Sequence, residues 1–103
     1  MTEELRSEFD ISGATYYDGA AHHLGPSKCT LTSMRLMIED RTGKTQQLHL
    51  RNITGVTPHT GLVNKSVDIN VGSSYAIHLY CKPNARVREI AGLLNEAMRE
   101  QFS

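Results

Sequence analysis

The sequence contains no tryptophan, only two cysteines, no excess of charge of either sign and no long apolar run. Its 11 Lys and Arg residues balance 11 Asp and Glu residues, which argues against a nucleic-acid partner, because such proteins usually carry a concentrated basic face. The apolar runs are far shorter than the roughly 20 residues that cross a bilayer, and the chain does not start with the basic and apolar stretches of a signal peptide. A chain of 103 residues has room for one globular domain.

The two cysteines, Cys29 and Cys81, fall on the apolar phase of predicted strands. Free cysteine on such a face behaves as a small buried hydrophobic residue. We therefore expect two free thiols rather than a disulfide, and a reducing, cytoplasmic location for the protein.

The balanced charge is unevenly distributed along the chain. Residues 1–12 carry three net negative charges, and the remaining 91 residues carry three net positive charges. The charged residues of this first segment are Glu3, Glu4, Glu8 and Asp10, opposed by Arg6. The sequence thus predicts a flexible acidic tail over residues 1–12 and a folded domain over residues 13–103.

Apolar residues alternate with polar ones between residues 14 and 81, and turn signals interrupt the alternation every 8 to 12 residues or so. This pattern is typical of short antiparallel strands that each bury one face. We expect a first strand over residues 15–24, with a bulge at Asp18-Gly19, and about seven strands in all. The clearest apolar sets are Cys29 and Leu31, Leu36 and Ile38, Leu48 and Leu50, Val67 to Val71, and Ile77 to Cys81.

After Cys81 the apolar spacing changes to that of a helix. Pro83-Asn84 provides a start signal, with Asn84 as the expected cap of the first turn. Six apolar residues then recur at helical spacing within an arc of roughly 120°: Val87, Ile90, Ala91, Leu94, Met98 and Phe102. The predicted fold class is therefore α+β, a pleckstrin-homology-like roll of about seven antiparallel strands capped by one C-terminal amphipathic helix.

The sequence provides no convincing catalytic or metal-binding set. The five histidines lie in separate segments or, for His22 and His23, point to opposite faces of a strand, and no cysteine or carboxylate partners them at ligand spacing. No nucleophile motif or phosphate-binding Gly-rich loop is present. We expect a binding module rather than an enzyme, with no cofactor and no metal.

Two kinds of surface could bind a partner. The cations Lys28, Arg35 and Lys65 either form a pocket for an anionic headgroup or belong to a scattered solvated surface.

On the helix, Leu93 lies about 110° and Ala97 about 70° from the centre of the apolar stripe. With Glu96 and Glu100 they form an apolar flank with a polar border, which either contacts a partner or packs under a loop. Leu62 and Val63 offer a second apolar candidate in the 61–66 loop, with the same two interpretations.

Several motifs, in order, resemble one family. They are Tyr17-Asp18-Gly19, the strand Leu31-Thr32-Ser33-Met34-Arg35-Leu36, the strand Leu50-Arg51-Asn52-Ile53 and the segment from Gly61 through Lys65-Ser66 to Ile69, followed by the helix. Over residues 14–101 the chain resembles the GLUE domain, a split pleckstrin-homology module of the endosomal sorting complex ESCRT-II.

The resemblance implies a ubiquitin-binding adaptor domain in a membrane-sorting machinery, cytoplasmic and peripheral to membranes. In this sequence the family's ubiquitin-binding surface corresponds to Leu62, Val63, Asp68, Leu93, Ala97 and Glu100. Other ESCRT-II subunits would bind through the rest of a longer chain. Two alternatives stay open: a phosphoinositide-binding membrane-targeting module that uses Lys28, Arg35 and Lys65, and a standalone GRAM-like scaffold for protein interactions.

Overall fold

Strands and one helix account for most of the chain. A computed structural model describes residues 2–62 and 65–101. The elements in these residues are β1 (Leu5–Ile11), β2 (Gly13–Tyr17), β3 (Ala21–Leu24), β4 (Ser27–Thr32), β5 (Arg35–Asp40), β6 (Thr45–His49), a 3-10 turn (Leu50–Asn52), β7 (Gly55–His59), β8 (Ser66–Val71), β9 (Tyr75–Tyr80) and α1 (Asn84–Gln101). Among them, no helix is both long and apolar enough to span a bilayer.

The strands form two antiparallel sheets that share one long, bent hairpin. The four-stranded sheet has the order β1-β4-β5-β6, and the five-stranded sheet has the order β3-β2-β9-β8-β7. The hairpin arms bend at Ser12 and at Gly25-Pro26, so each arm contributes one strand to each sheet. The described residues form nine strands where the sequence predicts about seven, because β1 lies in the predicted tail and the predicted strand over residues 15–24 is divided into β2 and β3.

The turn of this hairpin lies at Asp18-Gly19-Ala20, where the sequence predicted a bulge within a single strand. Gly19 has a φ of 107°, a conformation that residues with a side chain rarely adopt. The Asp-Gly pair thus reverses the chain rather than distorting a continuous strand.

Residues 5–11 form a strand of the four-stranded sheet. The prediction of a flexible acidic tail over residues 1–12 is therefore wrong for these residues. β1 pairs with β4 from Leu5 to Ile11, and Phe9 and Ile11 are buried in the core. The acidic residues that suggested a tail, Glu8 and Asp10, are the solvent-facing members of the same alternation. High charge on one face of an edge strand is compatible with burial of the other face.

The inward-facing residues of both sheets form one core with the helix. On α1, Val87, Ile90, Ala91, Leu94 and Ala97 are buried, and the helix packs against β7, β8 and the 3-10 turn. Met98 is only half-buried, so the buried stripe is rotated towards Ala97 relative to the sequence prediction. Phe102, the last residue of the predicted stripe, lies outside the described residues.

The helix begins at the predicted position, but Asn84 does not cap it as expected. The carbonyl of Pro83 accepts hydrogen bonds from the backbone amides of Arg86 and Val87, and the buried Oδ1 of Asn84 has no hydrogen-bond partner among the described residues. A main-chain carbonyl, rather than the side chain of Asn84, thus accepts the hydrogen bonds of the first turn.

Both thiols are free and buried, as the sequence predicts. Burial raises the pKa of the Cys29 thiol to about 12, so this side chain stays protonated and unreactive at neutral pH.

The bend of the first hairpin arm leaves little room at Gly13. A Cβ added there would lie 3.1 Å from the carbonyl oxygen of Leu24, a backbone atom that cannot rotate away. We expect Gly13→Ala to lower the free energy of unfolding by about 1–2 kcal/mol, the usual cost of modest overpacking. Gly25→Ala, at the bend of the other arm where nothing lies within 4 Å of the added carbon, is expected to change it by less than about 0.5 kcal/mol. Equal effects in urea unfolding would contradict the steric explanation.

Candidate functional site

The flank of α1 that the sequence singled out borders a groove. The groove has a volume of about 190 Å³ and lies between the C-terminal half of α1 and the start of β1. Leu93 is half-buried at its side, whereas Ala97 is only 3% exposed and Leu31 is fully buried. The residues that line it are Arg6, Leu31, Leu93, Glu96, Ala97 and Glu100. The apolar residues of the groove are thus accessible mainly through Leu93.

Two charged residues connect the helix to β1. Arg6 forms an ion pair with Glu100, and the guanidinium of Arg86 lies over the ring of Phe9, 5.9 Å from its centroid. Arg6 is the residue that the sequence interpretation missed, because it was assigned to a tail. The alternation of apolar and polar residues over 5–11 is the signal that would have placed Arg6 on a strand of the sheet.

The second apolar candidate lies in the loop between β7 and β8. The side chain of Leu62 is 97% exposed, and its carbonyl accepts a hydrogen bond from Nζ of Lys65 at 3.1 Å. Val63 lies outside the described residues. Leu62 is therefore free to contact a partner, since its side chain does not pack against the sheets.

Asp68 is held by residues of its own sheet. Its carboxylate accepts a hydrogen bond from the hydroxyl of Ser66 at 2.9 Å, contacts Nε2 of His59 at 2.7 Å, and contacts Nδ1 of His78. His59 and His78 lie on β7 and β9, the two neighbours of β8, so the sheet register brings them together. The sequence did not predict this cluster. Asp68 lies at the base of the Leu62 loop and fixes the strands that carry it.

No set of three or more His, Cys, Asp and Glu side chains in residues 2–62 and 65–101 is arranged to hold a metal ion. The cluster around Asp68 consists of contacts among side chains of β7, β8 and β9.

The three predicted lipid-binding cations do not converge. Lys28 pairs with Glu8 at 2.9 Å on the outer face of the four-stranded sheet. Arg35 contacts both carboxylate oxygens of Glu3, at 2.8 and 2.9 Å, and this hydrogen bonding is the main reason that the pKa of Glu3 is lowered. Lys65 lies beside the other sheet. Two of the three charges are thus neutralised by carboxylates of the N-terminal segment.

A larger depression of about 550 Å³ opens between β3 and the start of β6. Its charged residues include Lys44, and His22 is bonded through Nε2 to the carboxylate of Asp18 at 2.9 Å. Tyr16 stacks on His22 with 4.7 Å between the ring centroids. One lysine beside a carboxylate-bound histidine gives this depression little net positive charge.

No family model and no curated sequence matches this chain. Among solved structures, the chain is similar to a "Vps36 N-terminal PH domain", with a TM-score of 0.74 and 14% sequence identity. The alignment covers 94% of this chain and 80% of the other. The two antiparallel sheets and the C-terminal helix therefore form a pleckstrin-homology-like α+β fold, as the sequence predicts.

Proposed function

We propose that this chain is a ubiquitin-binding adaptor domain of a membrane-sorting machinery similar to ESCRT-II. The observation that carries the proposal is the half-buried Leu93, which borders the groove between α1 and β1. The exposed Leu62 provides a second apolar contact. A pleckstrin-homology-like fold and the sequence resemblance to GLUE domains support the same function.

The proposed contact surface consists of two parts. The helix part contains Leu93 and Glu100, and Ala97 lines the groove beside them without being exposed itself. The loop part contains Leu62 and Val63, with Asp68 in a supporting position at the loop's base. Such a surface is small, and small interfaces with few apolar anchors bind weakly. We therefore expect affinity in the range from micromolar to millimolar.

The phosphoinositide alternative has less support from the geometry. Anionic headgroups are bound where several unpaired cations converge. Here Lys28 and Arg35 are each bound to a carboxylate, and Lys65 donates a hydrogen bond to a backbone carbonyl. Protein binding accordingly explains more of the surface than lipid binding does.

Titration of the isotope-labelled chain with unlabelled ubiquitin, followed by NMR, tests the proposal. We expect chemical-shift changes at residues 93–100 and at Leu62 in the wild-type chain. Leu93→Asp is expected to abolish them, because a carboxylate at the groove would have to be desolvated against the partner.

Met37→Asp is the matched control. Met37 is also half-buried, but it lies on the outer face of the four-stranded sheet, where it borders a separate depression. This variant is expected to bind ubiquitin like the wild type, and circular dichroism establishes that both variants are folded. Spectra of the wild-type chain that stay unchanged at millimolar ubiquitin would refute the proposed function and favour a scaffold for another protein.

A further inference from the structure

The two end strands of the five-stranded sheet differ in how their edges are protected. At one end, β7 packs against α1 and contains Pro58, which has no backbone N–H to offer to another strand. At the other end, β3 contains no proline, and its residues Ala21, His22 and His23 are exposed. In the part of the chain that the structure describes, β3 pairs only with β2, so its other edge is open.

The hydrogen-bond pattern of the first hairpin shows which backbone groups of β3 point outward. The amide of Asp18 donates to the carbonyl of Ala20 at 3.2 Å, and hydrogen-bonded pairs alternate with unbonded pairs along an antiparallel ladder. Every second residue after Ala20 therefore bonds to β2. The residues between them, Ala21 and His23, direct their N–H and C=O groups away from the sheet.

The depression between β3 and the start of β6 lies along this open edge. Ala21 and His23 belong to one face of β3, and His22 and Leu24 to the other, yet all four line the same depression. A space that is bordered by both faces of a strand lies at the edge of that strand.

The size of the depression fits a short piece of extended chain. A strand in a sheet occupies about 4.8 Å beside its neighbour, about 10 Å between faces and about 3.3 Å along its length for each residue, or roughly 160 Å³ per residue. The volume of about 550 Å³ therefore holds about three to four residues of one strand. This number matches the 4 residues of β3.

One permanent charge lines the depression across from β3. The ammonium of Lys44 forms no hydrogen bond or ion pair with a residue that the structure describes. It acts at a distance on Asp40, whose carboxylate already accepts hydrogen bonds from Thr42 and from the backbone amide of Lys44. A single carboxylate of a partner suits this single charge, whereas a polyanionic headgroup requires several cations.

We propose that the open edge of β3 binds an extended segment of a partner protein, which adds a strand to the five-stranded sheet and places one acidic side chain beside Lys44. Backbone hydrogen bonds to Ala21 and His23 hold the segment, and the carboxylate sets its register. A second copy of this chain fits less well, because Lys44 and Thr45 bound the depression and leave the width of one strand.

The experiment selects linear heptapeptides from a random display library on the immobilised full-length chain. The dissociation constant of an enriched peptide is then measured by NMR titration. We expect the enriched peptides to contain an acidic residue and no central proline, and to shift the amide resonances of Ala21 and His23.

Backbone methylation of the enriched peptide tests strand pairing without altering the protein. One version carries N-methyl groups on alternate amides, and a second version carries them on the other amides. Because only one edge of an added strand faces β3, one version should bind about tenfold more weakly and the other like the unmodified peptide. Equal binding by the two versions would overturn the inference.

Three variants of the chain test the same contacts from the protein side. Ala21→Pro removes one outward N–H at the first residue of β3, where proline is tolerated, and should weaken peptide binding about fivefold. Lys44→Gln should weaken it about threefold. Gln47→Pro is the matched control and should bind like the wild type, since it removes an outward N–H from the exposed edge of β6, in the other sheet.

Two results would overturn the inference without touching the proposed function. One is a library that shows no enrichment, or peptides whose shifts lie outside β3. The other is self-association of the wild-type chain that Ala21→Pro abolishes in sedimentation, which would assign the edge to a second copy. Ubiquitin titration of Ala21→Pro should give the wild-type shifts at Leu93 and Leu62, because the two surfaces share no residue.

Discussion

Removal of residues 2–11 is expected to leave the rest of the chain unfolded. The deletion takes away β1, which pairs with β4 along its length, and removes Phe9 and Ile11 from the core. It also exposes the inward face of β4, including the fully buried Cys29 and Leu31. Domains of this size are stable by only about 5–15 kcal/mol, and these losses exceed that range when combined.

A single substitution tests the same point without removing the strand. Phe9→Ala is expected to lower the free energy of unfolding by about 3–5 kcal/mol, as is usual when a buried aromatic ring is truncated. Part of this loss is the contact between the Phe9 ring and the Arg86 guanidinium. Chemical denaturation monitored by circular dichroism measures the change.

Leu5→Ala on the same strand is the matched control. Leu5 is 61% exposed, so its truncation is expected to change the free energy of unfolding by less than about 0.5 kcal/mol.

The deletion of residues 2–11 has one outcome that would contradict the prediction. If the chain without these residues unfolds cooperatively with the wild-type midpoint, residues 2–11 are a dispensable tail.

Leu94→Ala is expected to destabilise the protein far more than Leu93→Ala. Leu94 is fully buried among the residues that α1 packs against the sheets, and its truncation should cost about 3 kcal/mol through lost contacts and a cavity. Leu93 is half-buried at the groove, so about 1 kcal/mol is expected for the same change. For a domain of about this size, 1 kcal/mol shifts the melting temperature by roughly 4–8 °C.

The pair separates stability from binding because the two residues are adjacent in sequence and chemically identical. The Leu93→Ala variant should remain folded and bind ubiquitin more weakly. The Leu94→Ala variant should be less stable, although the residues that line the groove are the same as in the wild type. Melting curves and titrations of both variants provide the measurement. Similar losses of stability in the two variants would mean that the helix packs in a different rotational phase.

Much of the fold follows from periodicity in the sequence. The period-two segments from residue 27 to residue 81 predict β4, β5, β6, β8 and β9, and the change to helical spacing predicts α1 from Asn84. These elements each bury one face, so the alternation of apolar residues reports directly on the core. The helix phase was predicted less well, because Ala97 and Met98 differ little in pattern, whereas in the structure Ala97 is buried and Met98 is half-buried.

The first 25 residues were predicted least well. The density of acidic residues suggested a tail, although Phe9 and Ile11 already alternate with Glu8 and Asp10. Two apolar residues in such a short segment are a weak signal, and burial of an edge strand depends on the partner strand. The bends at Ser12 and Gly25 do not follow from the local sequence either, because they lie where each arm of the hairpin passes from one sheet to the other.

The sequence by itself determined the α+β fold class, the antiparallel strands, the terminal helix and the free buried thiols, because local periodicity and burial of apolar faces decide these features. Only the tertiary structure decided how distant charged residues pair. It brings Glu3 to Arg35, Glu8 to Lys28, and Arg6 to Glu100, across separations that no local pattern encodes. Two of these pairings occupy Lys28 and Arg35, the cations that a lipid headgroup would need.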